Sequence, residues 1–191
     1  HDLTLFDSTF ATQLNEWNFK RLLSMTYDIV VTNPPYLNNF TGNLKDYVQA
    51  EFSDYSSDLF SVFIYRNLMF CKENGYSAYM TPNVWMFIKS YQKLREFVLN
   101  NKTINTLIQL AKGAFYKEAT VDICTFVIKN IKSDSLGEYF RLEKFKGDME
   151  LQREKTLEAL KHPNCGYRFK SDSNQFSLIQ GSPIAYWIGE K

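Results

Sequence analysis

Four consecutive residues, Asn33-Pro34-Pro35-Tyr36, have the chemistry to hold a planar amino group. Neither proline has a backbone N–H, so carbonyl oxygens dominate this turn as acceptors. The Asn33 side-chain oxygen adds an acceptor, and Tyr36 offers a flat aromatic face. Two acceptors that grip both hydrogens of an exocyclic amino group would direct its lone pair at an electrophile. Because asparagine is not a base, the nitrogen would attack first and lose its proton later. This is the chemistry of group transfer rather than hydrolysis.

The residues before this turn predict a strand that stops at it. Ile29-Val30-Val31 is a run of β-branched apolar residues, typical of a strand buried on both faces of a parallel sheet. The two prolines prevent both helix and further ladder pairing, so the strand must end at Asn33. In open α/β sheets, ligands bind just outside such carboxyl ends. The alternative interpretation is a proline-terminated strand without a site.

Asn33-Pro34-Pro35-Tyr36 matches the NPPY motif, so the chain resembles the S-adenosylmethionine-dependent amino methyltransferases, most of which methylate adenine N6 in DNA. The resemblance implies an α/β fold, a partial Rossmann-like sheet that is mostly parallel with an antiparallel hairpin at one edge. It implies that all four motif residues are catalytic and that Asn33 also lies near the cofactor, S-adenosylmethionine. It further implies that Asn33 and the Pro34 carbonyl hold the amino group of an adenine flipped out of double-stranded DNA.

A second aromatic candidate lies in the stretch 111–120, a loop predicted between two strands. The family places a phenylalanine in the corresponding loop, where it stacks on the far face of the base. Phe115 is the matching residue here, with Tyr116 as the competitor, so Tyr36 and Phe115 would sandwich the base. Unstacking a base from duplex DNA costs a few kcal/mol, which such a sandwich would offset. The alternative is that Phe115 simply closes the hydrophobic core.

Periodicity predicts the elements that must position these residues. Residues 3–26 carry apolar side chains loosely at helical spacing and should pack against the sheet as one or two helices. Residues 37–57 form a long loop, which either covers the substrate mouth or is an ordinary surface loop with a short helix. Asp58 should cap a helix that ends near Asn74-Gly75, and a strand should follow over residues 76–80, completing a βαβ unit.

Further along the chain, a helix is predicted over residues 88–99 and a strand over 104–110. The apolar stretches 121–128 and 138–145 should pair as an antiparallel hairpin at the far edge of the sheet. A charged helix is expected over residues 147–161, with its charges on a solvated face.

The distribution of glycine predicts how the chain divides. No two of its eight glycines lie within three positions, so it lacks the G-x-G turn with which a cofactor-binding half would approach S-adenosylmethionine. We therefore expect residues 1–145 to be the C-terminal half of a catalytic domain. Residues 146–191 should be a linker helix and the start of a target-recognition region, because the run 181–187, Gly-Ser-Pro-Ile-Ala-Tyr-Trp, resembles the corresponding segment of phage-exclusion (BREX-type) adenine methyltransferases. Both ends look cut, so the sequence is interpreted as a fragment.

Composition bounds the class of protein but does not decide its function. The formal net charge is +1, so no overall basic field indicates nucleic acid. The three cysteines are odd in number and widely spaced, which argues against a disulfide framework or a metal site and fits the cytoplasm. No stretch has the length of a membrane span. Subunits of a restriction or defence system are expected as partners, by resemblance.

Two other functions stay open at the level of sequence. Enzymes that methylate a protein glutamine or an RNA base share NPPY-like motifs, so either could be the acceptor. A methyltransferase-like module could also be retained for binding alone, without catalysis.

Overall fold

A computed structural model describes residues 3–115 and 121–188 of the chain, with side chains from residue 12 onward. It contains a six-stranded mixed sheet with the strand order β1-β2-β4-β3-β5-β6. The strands are β1 (Tyr27–Thr32), β2 (Cys71–Pro82), β3 (Thr103–Gln109), β4 (Ile123–Lys129), β5 (Gly137–Arg141) and β6 (Arg168–Ser171). The α-helices are α1 (Leu3–Ser24), α2 (Gly42–Glu51), α3 (Leu59–Phe70), α4 (Gln92–Asn101), α5 (Met149–Lys161) and α6 (Asn174–Ser177).

The predicted βαβ unit is present as β1, α3 and β2. The two strands pair in parallel, and α3 begins at the predicted cap, where the Asp58 side chain accepts a hydrogen bond from the Phe60 N–H. The helix ends at Phe70, four residues earlier than expected, because Gly75 belongs to β2 instead of a helix cap. A side chain at Gly75 would meet the Asp28 carbonyl oxygen at 2.7 Å, so glycine permits the close approach of β1.

The sheet is mixed, as the fold prediction required, but the predicted hairpin is wrong. Strands β1, β2, β3 and β5 run in one direction, while β4 and β6 run in the other. The stretch 121–128 forms β4 between β2 and β3, antiparallel to both. It therefore has no free edge for the stretch 138–145, which contributes β5 parallel to β3 instead. The antiparallel pair at the edge is formed by β5 and β6.

The side of the sheet at β1 is less covered than the sequence predicted. Strand β1 lies at the edge, and Ile29 and Val31 are 66% and 72% exposed, so the expected burial on both faces is wrong. Residues 3–24 form a single helix, and its large apolar side chains from Leu14 to Leu23 are exposed rather than packed against the sheet. Strand β1 pairs with β2 on one side, but within the described residues nothing covers Ile29, Val31 or the apolar face of the helix.

At the opposite edge of the sheet, near β5 and β6, aromatic side chains pack into a continuous core. The ring of Tyr139 on β5 stacks on that of Tyr186, with centroids 4.8 Å apart, and Phe176 packs at its edge. The residues after 167 thus add both a strand and core side chains to the fold of the preceding residues. The assignment of 146–191 to a region with a different role stays a functional prediction.

A buried arginine ties this tail to the loop after β2. The Arg95 guanidinium, on α4, donates hydrogen bonds to the backbone carbonyls of Trp85, Ile88, Gly181 and Ser182 at 2.7–3.1 Å. Burial lowers the pKa of Arg95, and the carbonyl oxygens oppose this decrease by solvating the charge.

No helix in the described ranges is long and apolar enough to cross a membrane.

Candidate functional site

The Asn33–Tyr36 turn directly follows β1, at the carboxyl end of the strand. Pro34 is buried, whereas Asn33 and Tyr36 are exposed, Tyr36 at 40%. The Tyr36 hydroxyl lies 3.4 Å from the Asn33 side-chain oxygen and 3.3 Å from the Met80 carbonyl oxygen. The hydroxyl has one hydrogen to donate, so at most one of these acceptors receives it at a time. The Asn33 oxygen therefore keeps acceptor capacity for a further donor.

The ring of Tyr36 packs against buried aromatic residues. It contacts the edge of the fully buried Phe60 ring, with centroids 6.3 Å apart and planes at 83°. Phe60 in turn stacks on Tyr91, at 5.3 Å. Partial burial, and secondarily the nearby Cys124, raise the pKa of Tyr36, so its hydroxyl stays neutral at physiological pH. The tyrosine thus presents an uncharged aromatic plate.

A cavity of about 480 Å³ opens beside this plate. Its size is in the range of small-molecule sites, and its wall combines apolar and aromatic side chains with a few polar ones. The polar side chains that line it are Asn38, Asn39, Asp58 and Ser90. The predicted loop 37–57 contributes the two asparagines and then continues into α2, so its first residues border the mouth.

Phe115 follows β3 at the same end of the sheet and does not close the core. It is 48% exposed and lines a separate cavity of about 640 Å³ with Lys112, Gly113 and Met149. Gly113 has a φ of +72°, a backbone conformation open to glycine, and it turns the chain just before Phe115. Tyr116, the competing aromatic residue, lies outside the described residues. Tyr36 and Phe115 line different cavities, so the base sandwich stays a prediction.

The first residues of β4 hold the loop that follows β2 and the loop that follows β3. Pro82 pairs with Ile123, and the Asn83 N–H donates to the Asp122 carbonyl at 2.8 Å. On the other side of β4, the Leu110 N–H donates a hydrogen bond to the Ile123 carbonyl at 3.1 Å. Strand β1 pairs with β2 in parallel, and the Tyr36 hydroxyl lies 3.3 Å from the Met80 carbonyl oxygen near the end of β2. The segments that carry Tyr36 and Phe115 therefore emerge at one edge of the sheet, as expected for residues that follow parallel strands.

Sequence analysis missed Gln152, which anchors the loop of Phe115. This side chain on α5 is buried and accepts a hydrogen bond from the Ala111 N–H at 3.1 Å. Its amide also donates to the Phe145 carbonyl at 2.7 Å. The charged helix was interpreted as a solvated cover, and most of its face is exposed. The signal for the anchor was a glutamine three and seven residues from the apolar positions Met149 and Ala159.

The described residues carry no cluster of three or more His, Cys, Asp or Glu side chains that could hold a metal ion. Burial raises the pKa of Cys124 to about 12, so its thiol is neutral and unsuited to nucleophilic chemistry. Around Asn33 and Tyr36 the exposed groups are an amide, backbone carbonyls and an aromatic ring, which suit the recognition of a planar amino group.

Comparison with known proteins places the motif in a family. The sequence profile of the Eco57I restriction-modification methylases matches residues 3–115, which include Asn33–Tyr36 and Phe115. The chain belongs to this family. The match confirms the resemblance to amino methyltransferases drawn from the NPPY motif.

Two curated relatives extend the similarity beyond the profile. The chain is 38% identical to the adenine-specific methyltransferase BrxX of Escherichia coli O9:H4 (strain HS), over 87% of its length but 14% of the relative. It is 34% identical to the adenine-specific methyltransferase PglX of Lacticaseibacillus casei (strain Zhang), over 95% of its length but 16% of the relative. The chain thus spans about one sixth of these relatives or less.

The fold has a solved counterpart. The methyltransferase subunit of a type I restriction-modification system from Streptococcus thermophilus superposes with a TM-score of 0.65 at 17% identity, over 85% of this chain and 38% of that one. At this identity the likeness concerns the fold, and it confirms the predicted α/β class with a mixed sheet.

Proposed function

We propose that this chain is part of a site-specific DNA methyltransferase that transfers a methyl group to N6 of a flipped adenine, in restriction-modification or phage defence. The observation that carries the proposal is the Asn33–Tyr36 turn. It sets an exposed amide oxygen beside an aromatic plate at the carboxyl edge of the sheet. The names of the relatives, adenine-specific methyltransferases, give the same reaction.

In the proposed reaction, the Asn33 side-chain oxygen and the Pro34 carbonyl accept the two N–H groups of the adenine amino group. This orients the nitrogen lone pair away from the ring plane and toward the electrophile. S-adenosylmethionine, when bound, supplies a methyl group on a positively charged sulfur. Transfer would exchange the sulfur–carbon bond for the N6–carbon bond, and the amino group would then lose a proton to solvent. Asn33 holds the nitrogen but takes no proton from it.

The flipped base needs a replacement for the stacking that it loses in the duplex. Tyr36, held against Phe60 and neutral, offers one face, and half-exposed Phe115 offers a second from the neighbouring loop. Stacking on an aromatic side chain is worth about 1–3 kcal/mol per base. Two such faces would offset the cost of extrusion, which is a few kcal/mol.

The fit to the cofactor is partial within this chain. The exposed Asn33 amide suits a contact with the amino-acid portion of S-adenosylmethionine, but the chain has no paired-glycine turn. We therefore propose that residues 1–145 are the C-terminal half of a catalytic domain whose cofactor-binding half covers β1. The exposed apolar side chains of Ile29 and Val31 support this assignment. Residues 146–191 would lead into target recognition, and double-stranded DNA and defence-system or restriction subunits would be the partners, in the cytoplasm.

The test uses the full-length protein that contains this chain. It is incubated with tritiated S-adenosylmethionine and, in separate reactions, with duplex DNA, RNA or a protein acceptor. The DNA is then digested and analysed for modified nucleosides. We expect labelled N6-methyladenine with the wild type. Asn33→Ala should lose at least about 100-fold, because the acceptor that holds the reacting amino group is removed.

Asn105→Ala is the matched control, because Asn105 is also exposed but lies on β3 near its start, away from the carboxyl edge. It should retain wild-type transfer. Label in a protein or RNA acceptor instead of DNA would favour the alternative substrates. Absence of label from every acceptor would favour a binding module and contradict the proposal.

A further inference from the structure

One carboxylate joins the candidate motif to the first turn of α3. The side-chain oxygen Oδ1 of Asp58 accepts a hydrogen bond from the Phe60 N–H at 3.1 Å, which is its function as the helix cap. The same oxygen accepts a second hydrogen bond from the Leu37 N–H at 3.0 Å. Leu37 is the residue directly after Tyr36, so the cap also reaches the motif.

The backbone of Leu37 is held on both of its polar groups. Its carbonyl accepts a hydrogen bond from the Leu59 N–H at 2.8 Å, while its N–H is bound to Asp58. The next residue of the same helical turn, Phe60, supports the ring of Tyr36. The segment 58–60 therefore fixes Tyr36 through its neighbour in the chain and through its ring.

Capping alone does not account for the environment of Asp58. This side chain is only 7% exposed, and the described residues place no cation in an ion pair with it. Burying a carboxylate without a counter-charge is costly, and an exposed cap avoids the cost. Asp148, which caps α5 with one bond to the Leu151 N–H, is such an exposed cap. The burial at Asp58 coincides with the additional bond to Leu37.

We propose that Asp58 is a positioning residue for methyl transfer. By holding Leu37, it keeps Tyr36 over the base site and keeps the Asn33 oxygen free and correctly placed before substrate arrives. This inference rests on the proposed function of the Asn33–Tyr36 turn. Misplacement of a reacting group by about 1 Å can cost about 100-fold in rate, which sets the size of the expected effect.

Three variants of the full-length protein separate the two hydrogen bonds of Asp58: the bond to the Leu37 N–H, called the tether, and the bond to the Phe60 N–H, which is the cap. Asp58→Ala removes both. Asp58→Ser keeps a good helix cap, but its hydroxyl is one bond closer to the backbone and should not reach Leu37. Asp58→Asn retains an oxygen that can accept both N–H groups. The control is Asp172→Ala, because Asp172 also accepts a backbone N–H two residues on, from Asn174 at 2.8 Å, at the opposite edge of the sheet.

Two measurements are made on each variant. Hydrogen exchange followed by mass spectrometry reports protection of the Leu37 N–H, and steady-state methyl transfer to unmethylated duplex DNA reports kcat and KM. We expect Asp58→Ala and Asp58→Ser to accelerate exchange at Leu37 and to lower kcat by about 10- to 100-fold. Asp58→Asn should retain protection and recover kcat to within a few-fold of the wild type, and Asp172→Ala should match the wild type in both.

Unchanged kcat in Asp58→Ser with faster exchange at Leu37 would overturn the proposal, because the tether would then have no effect on transfer. Asp58→Asn with normal protection but the low kcat of Asp58→Ala would overturn it as well, since the charge rather than the hydrogen bond would matter. If the wild type methylates no acceptor, the proposed function fails and the positioning role fails with it. The exchange data would still report whether Asp58 protects Leu37, so the two failures are distinguishable.

Discussion

The two edges of the sheet differ in how completely their apolar side chains are covered. At the β5–β6 edge, Tyr139 and Tyr186 are stacked and almost fully buried. At the β1 edge, Ile29 and Val31 are mostly exposed although their residue types favour burial. The described chain thus closes its core on one side and presents an apolar strand on the other.

The candidate motif belongs to the open side, since Asn33 directly follows β1. Its supports are buried residues at the first turn of α3, Asp58 and the ring of Phe60. A rigid base beneath an exposed amide is the arrangement that a transfer site needs, because the groups around the reacting atom must be held in place before the substrate binds. The comparison therefore predicts that changes on the closed side cost stability, whereas changes on the open side cost little in this chain alone.

The largest effect on the closed side is expected at Arg95. The Arg95 guanidinium is bound by four backbone carbonyls and by no carboxylate in the described residues. These carbonyls would lose their donor in Arg95→Met. We expect the free energy of unfolding to fall by about 3 kcal/mol, because buried acceptors would be left without partners. Chemical denaturation measures the change.

Arg153→Met serves as the control for this variant. Arg153 forms an exposed ion pair with Glu150 one helical turn away, and such pairs contribute about 0.5 kcal/mol or less. Equal losses in the two variants would show that Arg95 does not fasten the tail at Gly181 to the loop at Trp85.

A smaller effect is expected at Gln152, which binds the loop of Phe115 to α5. Gln152→Ala removes the acceptor for the Ala111 N–H and the donor to the Phe145 carbonyl, so we expect a loss of about 2 kcal/mol. Glu154→Ala, on an exposed position of the same helix, should change the unfolding free energy by less than about 0.5 kcal/mol. A loss in Glu154→Ala as large as that in Gln152→Ala would contradict the role of the anchor, because substitution to alanine does not lower helix propensity and Glu154 is exposed.

Local signals in the sequence predicted the parts of the site that depend on local structure. The prolines end β1, and the preceding apolar run forms the strand, so Asn33 falls at the carboxyl end of the sheet as predicted. Asp58 caps α3 for the same reason, because a cap is decided within one helical turn. The link from Asp58 to Leu37 spans 21 positions, and no local pattern encodes it.

Non-local pairing is where the sequence was insufficient. Consecutive strands are usually neighbours, which favoured a hairpin between the stretches 121–128 and 138–145. Instead β4 lies between β2 and β3, and alternation within a strand does not reveal which strands flank it. The exposure of Val31 has the same origin, because a β-branched run predicts burial without specifying the neighbour that provides it.

The smallest effect is expected at Val31, and it sharpens the contrast between the two edges. In this chain alone, Val31→Ala should lower the unfolding free energy by about 0.5 kcal/mol or less, because the side chain is already in solvent. Val98→Ala, at a fully buried valine of α4, should cost about 2 kcal/mol through lost burial and the cavity left behind. Thermal or denaturant unfolding of both variants gives the comparison.

The same pair of variants in the full-length protein tests the proposal that a cofactor-binding half covers β1. If the proposal is correct, the cost of Val31→Ala rises toward that of Val98→Ala, because both valines would then be buried. If the cost at Val31 stays near zero while that at Val98 does not change, the β1 edge is open in the full-length protein too. Asn33 would then face solvent on that side, and the cofactor would have to be held from elsewhere.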